Sequence, residues 1–425
     1  MSKGTPKIAS IVDLSLINRF LSLFLLLIIF TILSPRQLAS VELENVFIVS
    51  SYDSVLVHSL IMIPTDYDST VPAPVLFIFH GANSTNANDL VRRFRYEANS
   101  RGWIIAAPDM HGENILTGQF SFGARAAQHD VIDLLQYLRD HYNIDNDRLY
   151  LTGPSMGGGM TSVTAEKYPD VFTAAVEWMG YADMTKLHSE MALRELDNPL
   201  EGIEAELGGT PDEVPYEYDR RSPDRMAMNL KYVPFAIGHG ENDSTIGPWH
   251  ALQLASAIES YDPLYFRGIY WHEGGHVLLD EHIVWICDYL DDWTRVPPPE
   301  DLFMQVDESK DYYYVDIVQE DSEAWSIFTV DVSLSDSVGI DLQNVRAMTL
   351  HIEETNIDPN REISLTLFPE AQHSLTLTGL VDTMNYALSY EGEEYGTYTY
   401  ENGILTIEIP GGSPEVMTFL ITPQG

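Results

Sequence analysis

The sequence predicts an α/β domain built on a mostly parallel sheet, followed by a second domain made of strands alone. Two observations carry this prediction. Up to residue 296, short apolar runs alternate with segments of helical periodicity, as in repeated βαβ units. Beyond the prolines at 297–299, the chain changes to short alternating stretches separated by turn residues. That pattern is typical of an all-β sandwich.

Length and charge set limits on what the protein is. A chain of 425 residues is long enough for two domains. Its 64 acidic and 23 basic residues give a formal net charge of −41. Such a surface repels phosphate backbones, which excludes nucleic acid as a partner. The single Cys287 excludes an intrachain disulfide and is expected to be a small core residue. Nothing in the sequence sets an oligomeric state.

Residues 1–40 have the pattern of an export segment. An apolar run at 20–33 follows basic residues and is closed by a proline and an arginine. The run is short for a membrane span, which needs about 20 apolar residues. It suits the core of a signal peptide, and the small residues at 39–40 suit cleavage. We therefore expect a secreted or extracytoplasmic protein, with an uncleaved N-terminal membrane anchor as the alternative.

Residues 41–296 carry the elements of the predicted α/β domain. Its leading strands read as an antiparallel pair, and the run at 75–79 is apolar throughout, as in a strand buried on both faces. The predicted strands are 46–49, 55–62, 75–79, 103–109, 148–152, 171–179, 233–238 and 265–271, and the predicted helices are 90–100, 130–142, 249–259 and 281–293.

One stretch interrupts this alternation. Residues 181–230 are polar and broken by Pro and Gly. We expect an insertion that lies over the carboxyl edge of the sheet, where substrates enter α/β folds.

Residues 297–303 are predicted to be a stiff Pro-rich linker, and residues 304–425 an antiparallel, sandwich-like accessory domain. From residue 301 onward only Lys310, Arg346 and Arg361 are basic. Two roles are open for this domain. Exposed tyrosines in the stretch 395–400 would suit polymer binding, and packing against the first domain is the simpler role.

The motif with chemical meaning is Gly153-Pro154-Ser155-Met156-Gly157. An apolar strand precedes it and a helical segment follows, which is the setting of a nucleophile elbow. The two glycines leave room where a side chain would clash with a neighbouring strand or helix. A plain Gly-rich strand-to-helix turn is the alternative. We interpret Ser155 as a nucleophile because further pieces follow at suitable places.

A serine hydroxyl needs a base in contact with it, and the base needs an orienting acid. Asp243 lies in the loop after a buried strand, where the acid is expected, with Glu241 as the alternative. His276 lies in a Gly-rich loop after the next strand, where the base is expected, with His272 as the alternative. The order Ser, Asp, His is the one used by α/β-hydrolases.

The remaining chemistry of the site would come from the backbone. A tetrahedral intermediate needs N–H donors for its oxyanion, and the sequence predicts them at Met156 and at Ala82. His239 is expected to be structural. The spacing of His272 and His276 lacks the helical frame of a zinc site, so we expect neither a metal nor a cofactor.

The stretch from 144 to 172, with its Ser155-Met156-Gly157-Gly158 core, resembles two groups of α/β-hydrolases. One is the polyhydroxybutyrate depolymerase and feruloyl esterase group, and the other is the catalytic domain of the prolyl oligopeptidase family. The stretches 208–223 and 239–243 are closer to the peptidase family. The resemblance covers about residues 70–293 and implies Ser155, Asp243 and His276 as the catalytic triad.

Two departures weaken a strict peptidase interpretation. No β-propeller precedes the hydrolase segment, and no tyrosine follows His80-Gly81 to assist the oxyanion hole. We therefore expect an exported serine esterase that acts on a small or polymeric ester. A serine peptidase of prolyl oligopeptidase type is the alternative. A non-catalytic binding or adhesion protein is the second alternative, which the intact Ser155, Asp243 and His276 oppose.

Overall fold

The computed structural model describes residues 41–84, 88–194, 197–369, 372–411 and 416–424. The predicted export segment, residues 1–40, lies outside the described residues. Within the described residues, no helix combines the length and the apolar character needed to cross a membrane.

A sheet of eight strands forms the centre of the first domain. Its strand order is β1-β2-β4-β3-β5-β6-β7-β8. The β1–β2 and β2–β4 pairs are antiparallel, and all pairs from β4 to β8 are parallel, which confirms the predicted mostly parallel sheet. The strands are β1 (Glu42–Val49), β2 (Leu56–Ile63), β3 (Ala73–Ile78), β4 (Ile104–Pro108), β5 (Ile144–Pro154), β6 (Ala174–Trp178), β7 (Phe235–Gly240) and β8 (Phe266–His272).

Helices cover both faces of this sheet. Strand β3 is buried along its whole length, as its continuous apolar run predicts. Helix α2 buries Val131, Leu134, Leu135 and Leu138, the residues of its predicted apolar face. The helices are α1 (Asn88–Arg101), α2 (Arg125–His141), α3 (Met156–Lys167), α4 (Met184–Leu193), α5 (Asp197–Leu207), α6 (Pro215–Asp219), α7 (Pro223–Met226), α8 (Trp249–Glu259) and α9 (Asp280–Asp291).

The stretch 181–230 contains helices α4 to α7 and most of a 3₁₀ helix, Ala227–Tyr232. Its polar residues are not all on the surface. Arg221 is buried and donates to the Ser121 carbonyl at 3.0 Å and to Glu206 at 3.1 Å. Glu206 in turn accepts backbone N–H groups of residues 113–115, in the loop that follows β4. A buried ion pair therefore ties this stretch to a loop at the carboxyl edge of the sheet.

After residue 300 the described chain forms thirteen strands in two sheets around one apolar core. The six-stranded sheet has the order β10-β11-β14-β16-β20-β19, and the seven-stranded sheet β18-β17-β21-β15-β13-β12-β9. The strands are β9 (Asp301–Val306), β10 (Asp311–Tyr312), β11 (Val315–Gln319), β12 (Ser326–Leu334), β13 (Ser337–Gln343), β14 (Val345–His351), β15 (Ile363–Pro369), β16 (His373–Thr378), β17 (Asn385–Tyr390), β18 (Glu393–Glu394), β19 (Tyr398–Glu401), β20 (Ile404–Ile409) and β21 (Met417–Gln424).

The prediction of an antiparallel sandwich is wrong for two strand pairs. Strands β13 and β15 pair in parallel, and so do β14 and β16. In each pair the intervening strand belongs to the opposite sheet, so the chain crosses the sandwich and returns in its original direction. Alternating hydrophobicity specifies which face of a strand is buried and carries no information about the direction of its neighbour.

A buried carboxylate from the second domain enters the first. Asp307 Oδ2 lies 2.6 Å from Lys167 Nζ, at the end of α3, and 2.8 Å from Arg220 Nε, just after α6. All three side chains are at most 3 % exposed. Burial alone would raise the pKa of Asp307, but Lys167 and Arg220 hold that pKa well below its usual range. The three charges therefore form a buried salt-bridge cluster between the two domains.

Further polar contacts surround this salt-bridge cluster. Lys310 donates to the Lys167 carbonyl at 2.6 Å, and its ammonium lies 3.1 Å from the ring centre of Tyr168. The Asn229 side chain donates to the Gln305 carbonyl at 2.8 Å and accepts the Gln305 N–H at 3.1 Å. Tyr232 packs into the core of the sandwich. The second domain is thus packed directly on the first.

Replacing Asp307 by Asn is expected to lower the free energy of unfolding by about 3–5 kcal/mol at neutral pH, because it leaves two buried cations without their anion. Since the pKa of Asp307 is lowered in the folded state, its stabilisation is present above about pH 4 and is lost as the pH falls further. Denaturant unfolding at pH 7 and pH 2 measures both effects.

Asp301→Asn is the matched control for Asp307→Asn. The Asp301 side chain is 72 % exposed and lies 3.4 Å from Lys231 Nζ. Its loss is expected to change stability by no more than about 0.5 kcal/mol. Equal small effects of the two variants would contradict the role given to Asp307.

Candidate active site

Ser155 occupies a sharp turn between β5 and α3. Its φ of 63° and ψ of −125° are strained for a residue with a side chain. The turn is held by the Ser155 N–H, which donates to the Trp178 carbonyl at 2.9 Å. Such a turn lifts the hydroxyl above the carboxyl edge of the sheet, which is the arrangement of a nucleophile elbow.

The glycines on either side of Ser155 are required by close backbone packing. A Cβ on Gly157 would lie 2.2 Å from the Phe79 carbonyl oxygen, and one on Gly153 would lie 2.6 Å from the same atom. Any side chain at either position would push the elbow away from the end of β3. These glycines therefore hold Ser155 at its height over the sheet.

Asp243 and His276 form a direct hydrogen bond. Asp243 follows β7 and His276 follows β8, and His276 Nδ1 lies 2.7 Å from Asp243 Oδ2. The Asp243 side chain is fully buried, whereas that of His276 is 22 % exposed. The other carboxylate oxygen, Oδ1, accepts the N–H groups of Thr245 at 2.8 Å and Ile246 at 3.1 Å. This arrangement leaves Nε2 of His276 as the free ring nitrogen for a substrate or a nucleophile.

The electrostatics keep Asp243 ionised. Burial alone would raise the pKa of Asp243. The hydrogen bond from His276 and the two backbone donors outweigh burial, so the pKa lies below its usual value. An ionised carboxylate beside Nδ1 fixes the tautomer of the imidazole and stabilises its protonated form.

Backbone contacts join the loops that carry Asp243 and His276. The Asn242 N–H donates to the Gly274 carbonyl at 3.1 Å, and the Asn242 side chain donates to the Glu273 carbonyl at 2.7 Å. A Cβ on Gly240 would lie 2.3 Å from the Gly275 carbonyl oxygen. The Gly-rich sequence around His276 therefore allows the two loops to touch.

The alternative acid and base lie elsewhere. Glu241 is exposed. His272 stacks on Trp178 at a ring-centre distance of 5.7 Å, and its Nδ1 accepts the Gly274 N–H at 3.1 Å. His239 is buried and its Nε2 lies 3.0 Å from the Ile246 carbonyl oxygen, so it supports the Asp243 loop.

The positions predicted to bind an oxyanion flank Ser155. Met156 is the first residue of α3, where backbone N–H groups have no partner within the helix. Gly81, next to Ala82, is close to Ser155, since a Cβ there would lie 3.6 Å from the Ser155 Cβ. The Asn83 N–H donates to the Gln119 carbonyl at 3.0 Å and anchors this loop. Ala82 and Met156 thus stay the predicted donors.

The sequence did not point to Glu177. This residue directly precedes Trp178, whose carbonyl accepts the Ser155 N–H. Glu177 Oε1 accepts the Gly180 N–H, while Oε2 is buried with no hydrogen-bond partner among the described residues. Desolvation raises the pKa of this carboxyl to about 8. Its only sequence signal is an acidic residue inside an otherwise apolar strand. In the described part of the chain, no group of three His, Cys, Asp or Glu side chains is placed to hold a metal ion.

Residues 92–293 match the prolyl oligopeptidase family. Over 160 residues the chain is 28 % identical to the uncharacterized peptidase YtmA of Bacillus subtilis, covering 38 % of this chain and 60 % of that protein. Over 161 residues it is 25 % identical to an acetylxylan esterase of Coprinopsis cinerea, covering 35 % of this chain and 40 % of the esterase. The chain therefore matches less than two thirds of the length of either relative.

Among solved structures, the chain resembles a protein from Bacteroides ovatus assigned as a dipeptidyl aminopeptidase IV. The TM-score is 0.50 at 20 % sequence identity, and the likeness covers 60 % of this chain and 36 % of that one. At this identity the likeness speaks for the fold alone. Together with the family match, it confirms the predicted α/β-hydrolase fold.

Glu177→Gln is expected to remove a pH dependence of stability. The folded protein holds the Glu177 proton up to about pH 8, whereas an unfolded glutamate loses it near its ordinary pKa of 4.5. The wild type therefore loses stability from this group as the pH rises through that window, and Gln does not. In denaturant unfolding, the free energy of unfolding of the variant, relative to that of the wild type, should rise by about 3–5 kcal/mol between pH 5 and pH 8.

The control for Glu177→Gln is Glu281→Gln, at an exposed position on α9. Its surroundings differ little between the folded and the unfolded chain, so its pH profile of stability should follow that of the wild type. A Glu177→Gln profile parallel to the wild type would contradict the buried, protonated state of Glu177.

Proposed function

Because residues 92–293 are a domain of the prolyl oligopeptidase family, we propose that this protein is a serine hydrolase that works through an acyl-enzyme. Ser155 is the nucleophile, His276 the general base and Asp243 the orienting acid. The observation that carries the proposal is the 2.7 Å hydrogen bond between His276 Nδ1 and the buried Asp243 carboxylate. It supports a partly exposed imidazole at the same sheet edge as the strained Ser155.

Each step of the reaction follows from these positions. His276 Nε2 takes the proton of the Ser155 hydroxyl as the oxygen attacks the substrate carbonyl carbon. The oxyanion that forms is bound by the N–H groups of Ala82 and Met156, and loss of one such donor typically costs about 3–4 kcal/mol in the transition state. His276 then gives the proton to the leaving group. Water attacks the acyl-enzyme by the same route and releases Ser155.

We propose a carboxylic ester as the substrate. An alkoxide leaving group demands less of the acid step than an amine does, so an open hydrolase domain suffices. The acetylxylan esterase among the relatives favours this substrate class. A peptide is the second candidate, favoured by the prolyl oligopeptidase match and by the peptidase YtmA.

The purified protein should hydrolyse p-nitrophenyl acyl esters faster than aminoacyl p-nitroanilides. Ser155→Ala should lower kcat by about a million-fold and abolish labelling by a fluorophosphonate. Ser162→Ala is the matched control, since Ser162 is buried further along α3, and it should label normally. Anilide hydrolysis without ester hydrolysis would assign the peptide instead, and wild-type protein that resists labelling would refute the serine mechanism.

We also propose that the protein is exported. The basic lead, the apolar run at 20–33 and the small residues at 39–40 support a cleaved signal peptide. In the native host, N-terminal sequencing of the mature protein is expected to start close to residue 41, in the extracytoplasmic fraction. Recovery of residues 1–40 in a membrane fraction would favour the anchor, and recovery of intact chain from the cytoplasm would contradict export.

A further inference from the structure

Helix α4, in the stretch inserted between β6 and β7, ends against the loop that carries Asp243. The residue after this helix is Arg194, and its Nη1 atom lies 2.5 Å from the Ser244 carbonyl oxygen and 2.7 Å from the Thr245 carbonyl oxygen. One guanidinium nitrogen thus donates to two consecutive carbonyl groups of the loop.

These are the carbonyl groups of the two peptide units that bind Asp243. The Ser244 carbonyl shares its peptide unit with the Thr245 N–H, and the Thr245 carbonyl shares its unit with the Ile246 N–H. Both N–H groups donate to Asp243 Oδ1, at 2.8 Å and 3.1 Å. Each peptide group therefore lies between the Arg194 cation and the Asp243 anion.

Hydrogen bonds arranged in this way strengthen one another. A cation at the carbonyl oxygen polarises the peptide unit, so its N–H becomes a better donor. A charged partner at each end makes both bonds charge-assisted. Arg194 therefore strengthens the two bonds that hold Oδ1 and orients the carboxylate so that Oδ2 faces His276.

Arg194 is itself held in place. Its Nη2 lies 3.3 Å from Glu190 Oε2, one helical turn earlier, and Glu190 Oε1 accepts the indole N–H of Trp249. Trp249 begins α8, directly after the Asp243 loop. The guanidinium is thus fixed before any substrate binds, which limits the entropy lost in holding the loop.

We propose that Arg194 is a positioning residue of the catalytic triad, acting on Asp243 through the two peptide units of residues 244–246. The inference deepens the proposed function and rests on the triad assigned there. It gives the inserted stretch 181–230 a part in catalysis beyond covering the site.

The sign of the effect on pH dependence follows from charge. Without Arg194 the Asp243 carboxylate is less well bound by its backbone donors and attracts the His276 imidazolium more strongly. Removal of a nearby cation stabilises the imidazolium as well. Both changes act in the same direction, so the acid limb of the activity profile moves upward. The other titratable groups around Asp243 and His276 are unchanged in every variant: His239 on β7, His272 on β8, Glu241 in the acid loop and His250 on α8.

The experiment measures the rate of Ser155 modification by a fluorophosphonate as a function of pH, in the full-length chain. For Arg194→Met we expect the acid limb to move upward by about half a pH unit and the rate at pH 7 to fall about 2–3-fold. Arg194→Lys keeps a cationic donor and should lie closer to the wild type than to Arg194→Met. Since Arg194 is a third exposed, both variants are expected to fold.

Lys186→Met is the matched control. Lys186 is a cation of the same helix, placed 4.9 Å from the ring centre of Trp249, with its ammonium donating to Gln253 instead of to the acid loop. Its profile should coincide with that of the wild type. An equal shift in Lys186→Met would overturn the proposal, because the loss of any positive charge on this helix would then give the same effect. A slower Arg194→Met with an unmoved acid limb would also overturn it.

A second measurement separates this proposal from the proposed function. The Nδ1 proton of His276 in its bond to Asp243 should give a strongly deshielded proton NMR signal, identified by its loss in His276→Ala. Arg194→Met should shift this signal and Lys186→Met should not. A wild type that resists labelling but shows this selective shift would refute the serine mechanism and keep the Arg194 contact. An unshifted signal in Arg194→Met would overturn the contact itself.

Discussion

The geometry of the site depends on direct backbone contact between two loops that are 33 residues apart in the chain. Asp243 and His276 meet because the chain at Gly240 touches the chain at Gly275, a contact that no side chain would permit. The same constraint recurs at Ser155, where Gly153 and Gly157 press against the end of β3. Ser155, Asp243 and His276 are thus held by the sheet itself, through close backbone packing at its carboxyl edge.

The second domain takes part in this rigidity. Asp307 binds the last residue of α3, the helix that begins directly after Ser155. It also binds Arg220. The same stretch, 181–230, contains Arg221, which anchors the loop after β4, and Arg194, which anchors the loop of Asp243. A single acidic side chain from the sandwich therefore reaches both elements that frame the site. The chain has only 23 basic residues against 64 acidic ones. Each buried basic side chain that neutralises a buried carboxylate is therefore more important in this chain.

Local patterns predicted most of the fold, and long-range contacts account for what they missed. The elbow at Ser155 and the loops of Asp243 and His276 could be predicted because each follows a recognisable strand, in a fixed order along the chain. The parallel strand pairs of the sandwich could not be predicted, since hydrophobic alternation carries no information about strand direction. Glu177, Asp307 and Arg194 were missed for a related reason. In sequence a charged residue is expected at the surface, and only the partners that the fold brings to it show that it is buried or bound.

The lone cysteine has a practical consequence. Cys287 is buried in α9, and desolvation raises the pKa of its thiol to about 12. The thiolate that reagents and oxidants attack is therefore almost absent in the folded protein. An introduced surface cysteine would be the one reactive handle in the molecule, so a fluorophore or a spin label could be attached at a chosen position without first removing a native residue.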